Sequence, residues 1–302
     1  MLPALVGCAA PPVVTALRSA PPPDLPPRAE LRHLPFFAQA DTLCGPAVLA
    51  SLLAAAGRPQ TLQSLVAEVY LPGRAGTLQA EMLAGARRHG LLAVELEPAL
   101  AAALREVAAG WPVAVLLNLA LPIWPRWHYA VLVGYDLPAG RVWLHSGTQA
   151  RSPWSLETFE YTWARSGHWA FVALAPGMLP ASADEEALTR ALLAGDGVAA
   201  PTDAADAWSA AAQRWPGRLL LWLGAGNAWL AAGRPRDATI AFEQATRRFD
   251  SAVAWNNLAQ SRLQLGNREG AESAARKAVA RAEASEPDWL DTARRTLQET
   301  RR

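Results

Sequence analysis

Only two cysteines, Cys8 and Cys44, occur in 302 residues, too few for a disulfide framework. Lysine is almost missing: of the 28 basic residues only Lys277 is one. That skew reads as coding bias and points to no function. Charge of either sign is not in excess; the net charge is +1, which leaves no basic stripe for a nucleic-acid backbone. No run of about 18 or more apolar residues exists, so no segment reads as a membrane-spanning helix. A Gly-rich phosphate loop is missing too, since Gly224 and Gly226 fall inside a helical pattern. His33, His89 and His168 are scattered, without the Cys/His spacing of a zinc site. Neither a cofactor nor a metal is expected. What the chain does have is 51% apolar residues and a length that suggests roughly two domains.

Three regions follow from the pattern. Residues 9–30 are rich in proline, including Pro21, Pro22 and Pro23, and are expected to form a polyproline spacer. Together with the terminus they make a first segment, residues 1–30. Residues 31–176 read as one α+β domain. Leu34–Phe37 is expected as a short strand, Gly45–Ala56 as a helix stopped by Gly57, and 62–69 and 78–89 as further helices. A strand over 91–96 is followed by a helix that Pro98 opens and Gly110 closes. "PVAVLLNL", "HYAVLVGY" and "RVWLHSG" are strands rich in β-branched and aromatic residues. "DLPAG" between the last two is short enough for a hairpin. A helix near 155–165 and a strand over 168–174 end the domain. Helices come first and most strands later, the order of an α+β fold.

From 177 to 302 the strand signals vanish. Trp222 and Trp255 are 33 residues apart, as are Gly233 and Gly266, Ala238 and Ala271, and Ala245 and Ala278. An earlier unit in the same phase uses Ala205, Trp208 and Ala212, and a polar helix over 287–302 would cap the array. Units of helix, Gly-containing turn and helix at this length resemble the tetratricopeptide repeat. The plainer alternative is a bundle of helical hairpins. A repeat arm implies a protein partner.

The chemistry centres on "QADTLCGPAVLASLLAAAG", residues 39–57. Gly45 and Pro46 place Cys44 at a helix N-terminus, where the macrodipole favours a thiolate. Gln39, on the incoming loop, could donate to an oxyanion near the sulfur. His128 opens a strand and could serve as base. A lone cysteine is more often a small buried hydrophobe; the ordered set Gln, Cys, His argues otherwise. Asp136 sits in the hairpin turn and is expected to be structural, and Asn118 to satisfy loop backbone. The six tryptophans from Trp124 to Trp169 are expected mostly in the core, with one or two walling a groove.

The pattern Q-x4-CGP followed by "HYAVLVGYD" resembles the papain-like cysteine peptidases that process bacteriocin leaders. The resemblance covers roughly residues 31–176. It implies an α+β papain-like domain followed by an all-α repeat domain, with Cys44 as nucleophile, His128 as base and Gln39 as oxyanion donor. The family places Asp-Pro at the end of the strand after the histidine; here that stretch reads Leu144-His145-Ser146-Gly147. His145 falls at the acid's position and is expected to orient His128, unless strand register turns it away and brings Ser146 instead. The implied function is peptide-bond cleavage of a peptide or protein substrate. A silent peptide-binding adaptor and a Cys-dependent acyl transferase are the alternatives. At the other end, Leu5-Val6-Gly7-Cys8 is similar to the lipobox of bacterial lipoproteins. That implies a lipidated Cys8, membrane attachment by the anchor alone, and a periplasm-facing place on the outer membrane.

Overall fold

The computed structural model describes residues 10–38, 41–182 and 184–302; Cys8 and Gln39 lie outside them. The chain divides into two compact units. One comprises the described residues up to Ala175 together with Pro180–Ala191, the other Pro176–Leu179 and Leu192–Arg302.

The first unit begins with α1 (Pro12–Ser19) and β1 (Arg28–Glu30), followed by α2 (Cys44–Ala55), α3 (Leu62–Val69), α4 (Gln79–Arg88), β2 (Leu92–Glu95) and α5 (Leu100–Ala108). Then come β3 (Val113–Asn118), β4 (Trp127–Asp136), β5 (Arg141–Ser146), β6 (Gln149–Ser155), α6 (Leu156–Ala164), β7 (Ala170–Leu174) and α7 (Glu185–Gly195), of which the residues up to Ala191 belong to this unit. The strands form one antiparallel sheet in the order β2-β7-β3-β4-β5-β6, with β1 paired to the far end of β4. Helices α2–α4 cover one face, where Leu49, Leu52, Leu65 and Met82 close over Ala114, Tyr129, Val131 and Phe171. The alternate residues Val113, Val115, Leu117, Ala130 and Leu132 are buried as well, and α5 and α6 lie against these strands. Burial on both faces explains why β3 and β4 read as continuous apolar runs rather than as alternating ones.

Two expectations need correcting. Residues 12–30 are not a polyproline spacer. Pro12 starts α1, where its missing N–H costs nothing, and Val14 and Leu17, one turn apart, are buried. Arg18 Nε donates to Leu137 O at 3.2 Å, and the Tyr135 hydroxyl donates to Pro26 O at 2.9 Å. Burial pushes the Tyr135 hydroxyl up to about 12, so this donor keeps its proton. The segment is docked, and β1 takes the edge of β4. Leu34–Phe37, for its part, is not a strand. Its apolar side chains Leu34 and Phe37 pack onto the core formed under α2, and β4 has no edge left for it there.

The first unit also extends beyond residue 176. The carboxylate of Glu106, buried in α5, accepts hydrogen bonds from Ala181 N, Ser182 N and Ser182 Oγ at 2.6–3.0 Å. These bonds tie the stretch before α7 to the unit.

The second unit is helical: α8 (Pro201–Arg214), α9 (Leu219–Ala231), α10 (Pro235–Arg248), α11 (Ala252–Gln264), α12 (Arg268–Ser285) and α13 (Leu290–Thr300). Helices α9 and α11 start 33 residues apart, as do α10 and α12. Gly233 and Gly266 hold the same place in both connections, each with positive φ, 69° and 75°. The alanines of the repeat, Ala238, Ala245, Ala271 and Ala278, are fully buried, which lets the helices approach closely. Gly224 is needed for the same reason: a Cβ there would lie 2.4 Å from the Trp208 ring. Among the described residues no helix is long and apolar enough to cross a membrane.

Candidate functional site

Helix α2 is buried from Cys44 to Leu53. Its apolarity on every side suits a helix enclosed between α3, α4 and the sheet, and its one polar buried residue, Ser51, bonds back to Ala47 O at 3.1 Å. Among the described residues no side chain caps the N-terminus, so the positive end of the helix dipole falls at Cys44. Gly45 is there because of a close approach. A Cβ on it would sit 2.5 Å from Thr77 Cβ, so the Gly76–Gln79 stretch could not pack against α2 if any other residue stood there.

Cys44 opens onto a cavity of about 740 Å³. Thr77 and Leu78 form one side, and Leu116, Trp127 and Tyr129 of the sheet form another. Arg74 and Arg165 also line it, with no carboxylate among the described lining residues. Arg165 Nη1 donates to Ala120 O at 3.0 Å and Asn118 O at 3.3 Å, which fixes its place. Burial, and then the charge of Cys44 when ionised, push the Tyr129 hydroxyl above its ordinary pKa.

His128 stands between the two β4 residues that line the cavity. Its Nε2 lies 2.8 Å from Ser146 Oγ. The partner that the sequence assigned to it was His145, and strand parity explains the difference. His145 is paired across from Val131, three residues from His128, and therefore faces the other side of the sheet. Ser146, one residue on, faces the side of His128. His145 is instead buried edge-on against Phe36, with ring centroids 5.2 Å apart. Among the described residues its Nδ1 has no hydrogen-bond partner. Burial, and then the nearby Arg151 charge, push its pKa below the ordinary value of 6.5.

The remaining candidates fall where their residue types suggest. Asn118 Oδ1 accepts from Ala120 N at 3.1 Å and Arg126 N at 3.0 Å, closing the loop between β3 and β4. Asp136 accepts from Ala139 N in the β4–β5 turn and pairs with Arg28. The tryptophans differ from expectation: of the six only Trp163 is buried, Trp143, Trp154 and Trp169 are half-buried, Trp124 is exposed, and Trp127 walls the cavity. Gln39 lies outside the described residues. Tyr129, Thr77, Leu116 and Arg165 escaped the sequence reading. Of these only Tyr129 carried a local signal, since strand alternation places residues 127 and 129 on one side.

Residues 31–171 match the family described as Peptidase_C39 like, so the first unit carries a Peptidase_C39-like domain. The chain is similar to the crystal structure of a C39-like peptidase candidate from Bacillus anthracis. The identity is 19% and the TM-score 0.43, over 49% of this chain and 97% of that one. It is also similar to the crystal structure of a double glycine motif protease from an AMS/PCAT transporter in complex with the leader peptide. There the identity is 18% and the TM-score 0.36, over 48% of this chain and 93% of that one. No curated protein matches the chain.

Proposed function

We propose that the first unit is a cysteine peptidase in which Cys44 attacks a peptide carbonyl and His128 moves the proton. One observation carries the reading: Cys44 stands at the N-terminus of α2 and opens a cavity whose sheet wall includes the two neighbours of His128. The family match over residues 31–171 supports it. With Nε2 of His128 engaged by Ser146, the ring exchanges its proton through Nδ1. The thiolate adds to the carbonyl carbon, and the imidazolium returns its proton to the leaving amine. Water, deprotonated by the same ring, then releases the acyl group and restores the thiol. Gln39 stays the proposed donor to the oxyanion. Ser146 is a positioning residue, which holds the ring but lends it no negative charge.

The serine that meets Nε2, where the family resemblance expects an aspartate, favours a second reading, a catalytically silent module that binds peptide in the same cavity. Digestion of a peptide library separates the two. The peptidase reading requires cleavage products with the wild type and none with Cys44→Ala. Intact peptides with both proteins, alongside peptide binding, would establish the silent module.

Two further assignments belong to the same proposal. The helical unit is a tetratricopeptide-like arm that binds a protein partner, supported by the 33-residue recurrence of its helices and turn glycines. Cys8 is a lipid anchor on the periplasmic side of the outer membrane. Because α1 begins at Pro12 and is docked, such an anchor would tether the domain close to the bilayer rather than at the end of a spacer.

A further inference from the structure

Between β3 and β4 the chain forms a loop whose residues 121–126, together with Trp127 at the start of β4, are all exposed. Four of the seven are large and apolar: Leu121 is 62% exposed, Ile123 84%, Trp124 82% and Trp127 51%. Side chains of this kind normally fold back onto a domain when the backbone allows it. Here the backbone is held. Leu119 N donates to Arg126 O at 2.9 Å, and Trp124 N to Leu121 O at 3.0 Å. Asn118 Oδ1 closes the base by accepting from Ala120 N and Arg126 N. Arg165 clamps the carbonyls of Asn118 and Ala120 from outside. Pro122 and Pro125 stiffen the tip. The loop is a preformed apolar wedge.

We propose that this wedge inserts into the interfacial layer of a membrane that carries anionic lipid. Three features select a bilayer over a protein or peptide. Ile123 and Trp124 project from the tip, and a convex apolar tip suits a soft medium better than it suits an extended peptide, which needs a groove. Peptides that add to such a chain also need free N–H groups. Of residues 119–126, two are prolines and four have their N–H bonded within the loop, leaving only Leu121 and Ile123. The same internal satisfaction is what lipid demands of a backbone. Charge is the third feature. Residues 119–126 include no carboxylate. Among the described residues, the neighbouring cavity wall, which Trp127 shares, adds Arg74 and Arg165 and no acid, and neither arginine forms an ion pair there. Cations around an apolar tip with tryptophan fit an anionic interface.

The proposal does not depend on the peptidase reading, because its readout is binding. Full-length protein carrying Cys8→Ser, so that no acyl chain contributes, is sedimented with phosphatidylcholine vesicles with and without phosphatidylglycerol. The expected result is sedimentation that requires the anionic lipid and weakens with salt. Trp124→Ala and Ile123→Ser should each lower the partition coefficient about tenfold, the effect of withdrawing one large side chain from the interface. Both variants should retain wild-type stability, because neither side chain packs against the domain. Wild-type protein that stays in the supernatant with both vesicles overturns the proposal. So does sedimentation that the two variants do not change. A higher KM of these variants on a soluble peptide without vesicles would assign the loop to substrate. Concentration-dependent dimers that Trp124→Ala dissolves would assign it to a second copy. Either result also overturns the membrane role.

Discussion

The pairing of His128 with Ser146 makes a quantitative claim about Ser146→Ala. The bond is 2.8 Å long between two groups at the end of the sheet, and the histidine is buried. A hydrogen bond of this kind is worth about 0.5–1.5 kcal/mol net. If all of it serves to hold the ring in its reactive orientation, kcat should fall about two- to tenfold, since 1.4 kcal/mol is a factor of ten. The hydroxyl does not line the cavity, so KM should not move. Ser146→Thr, which keeps a hydroxyl and suits a strand, should recover most of the rate. His145→Ala should behave in the opposite way. That ring touches Phe36 and not His128, so kcat should stay near wild type. Stability should drop by about 1–3 kcal/mol for the lost burial and edge contact. The assay is steady-state kinetics on a peptide from the library digestion, with urea unfolding of each variant alongside. A slow His145→Ala together with a wild-type Ser146→Ala would refute the assignment and return His145 to the place the family resemblance gave it.

Gly45→Ala should destabilise the first unit by about 1–3 kcal/mol in urea unfolding. The gain of about 1 kcal/mol from helix propensity does not offset a Cβ placed 2.5 Å from Thr77 Cβ, and displacement of Thr77 should also raise KM; unchanged unfolding would show that the two segments can separate freely. Acid should weaken the fold through His145. Its folded pKa lies below the ordinary 6.5, so as pH falls through about 6.5 the unfolded chain takes up a proton that the folded chain does not, and stability declines until the folded value is passed. His145→Asn should flatten that part of the pH profile of unfolding, and a profile identical to wild type would assign the slope to other groups.

Much of the first unit was legible because its punctuation is local. Gly57, Gly90 and Gly110, with φ of 75°, 76° and 96°, end α2, α4 and α5 within a residue or two of where the sequence stops them. Strand β6 was missed for a physical reason. Its sequence, QARSPWS, has no apolar alternation and contains Pro153, because it is an edge strand paired on one side only. Helix α1 was hidden by composition: the prolines around it suggested a spacer, while the informative pair was Val14 and Leu17. At the candidate site, Cys44 and the strand of His128 could be found from neighbouring residues. The choice between His145 and Ser146 could not, because one residue of register decides which faces His128, and a bulge between Leu132 and Gly134 separates the start of β4 from its hairpin turn. Thr77, Leu116 and Arg165 come from three distant segments that only packing brings to Cys44.

The central claim is that Cys44 is a nucleophile served by His128, and covalent capture tests it most directly. A peptide bearing a carbonyl-based thiol-reactive end group is offered to the native protein, and the modified residue is located by mass spectrometry. The account requires modification at Cys44, loss of it on unfolding, and at least a hundredfold slower capture in His128→Ala, in keeping with about 10²–10⁴ for a positioned base. Capture at Cys44 that is equally fast in His128→Ala, or that is no faster than in unfolded protein, would contradict it.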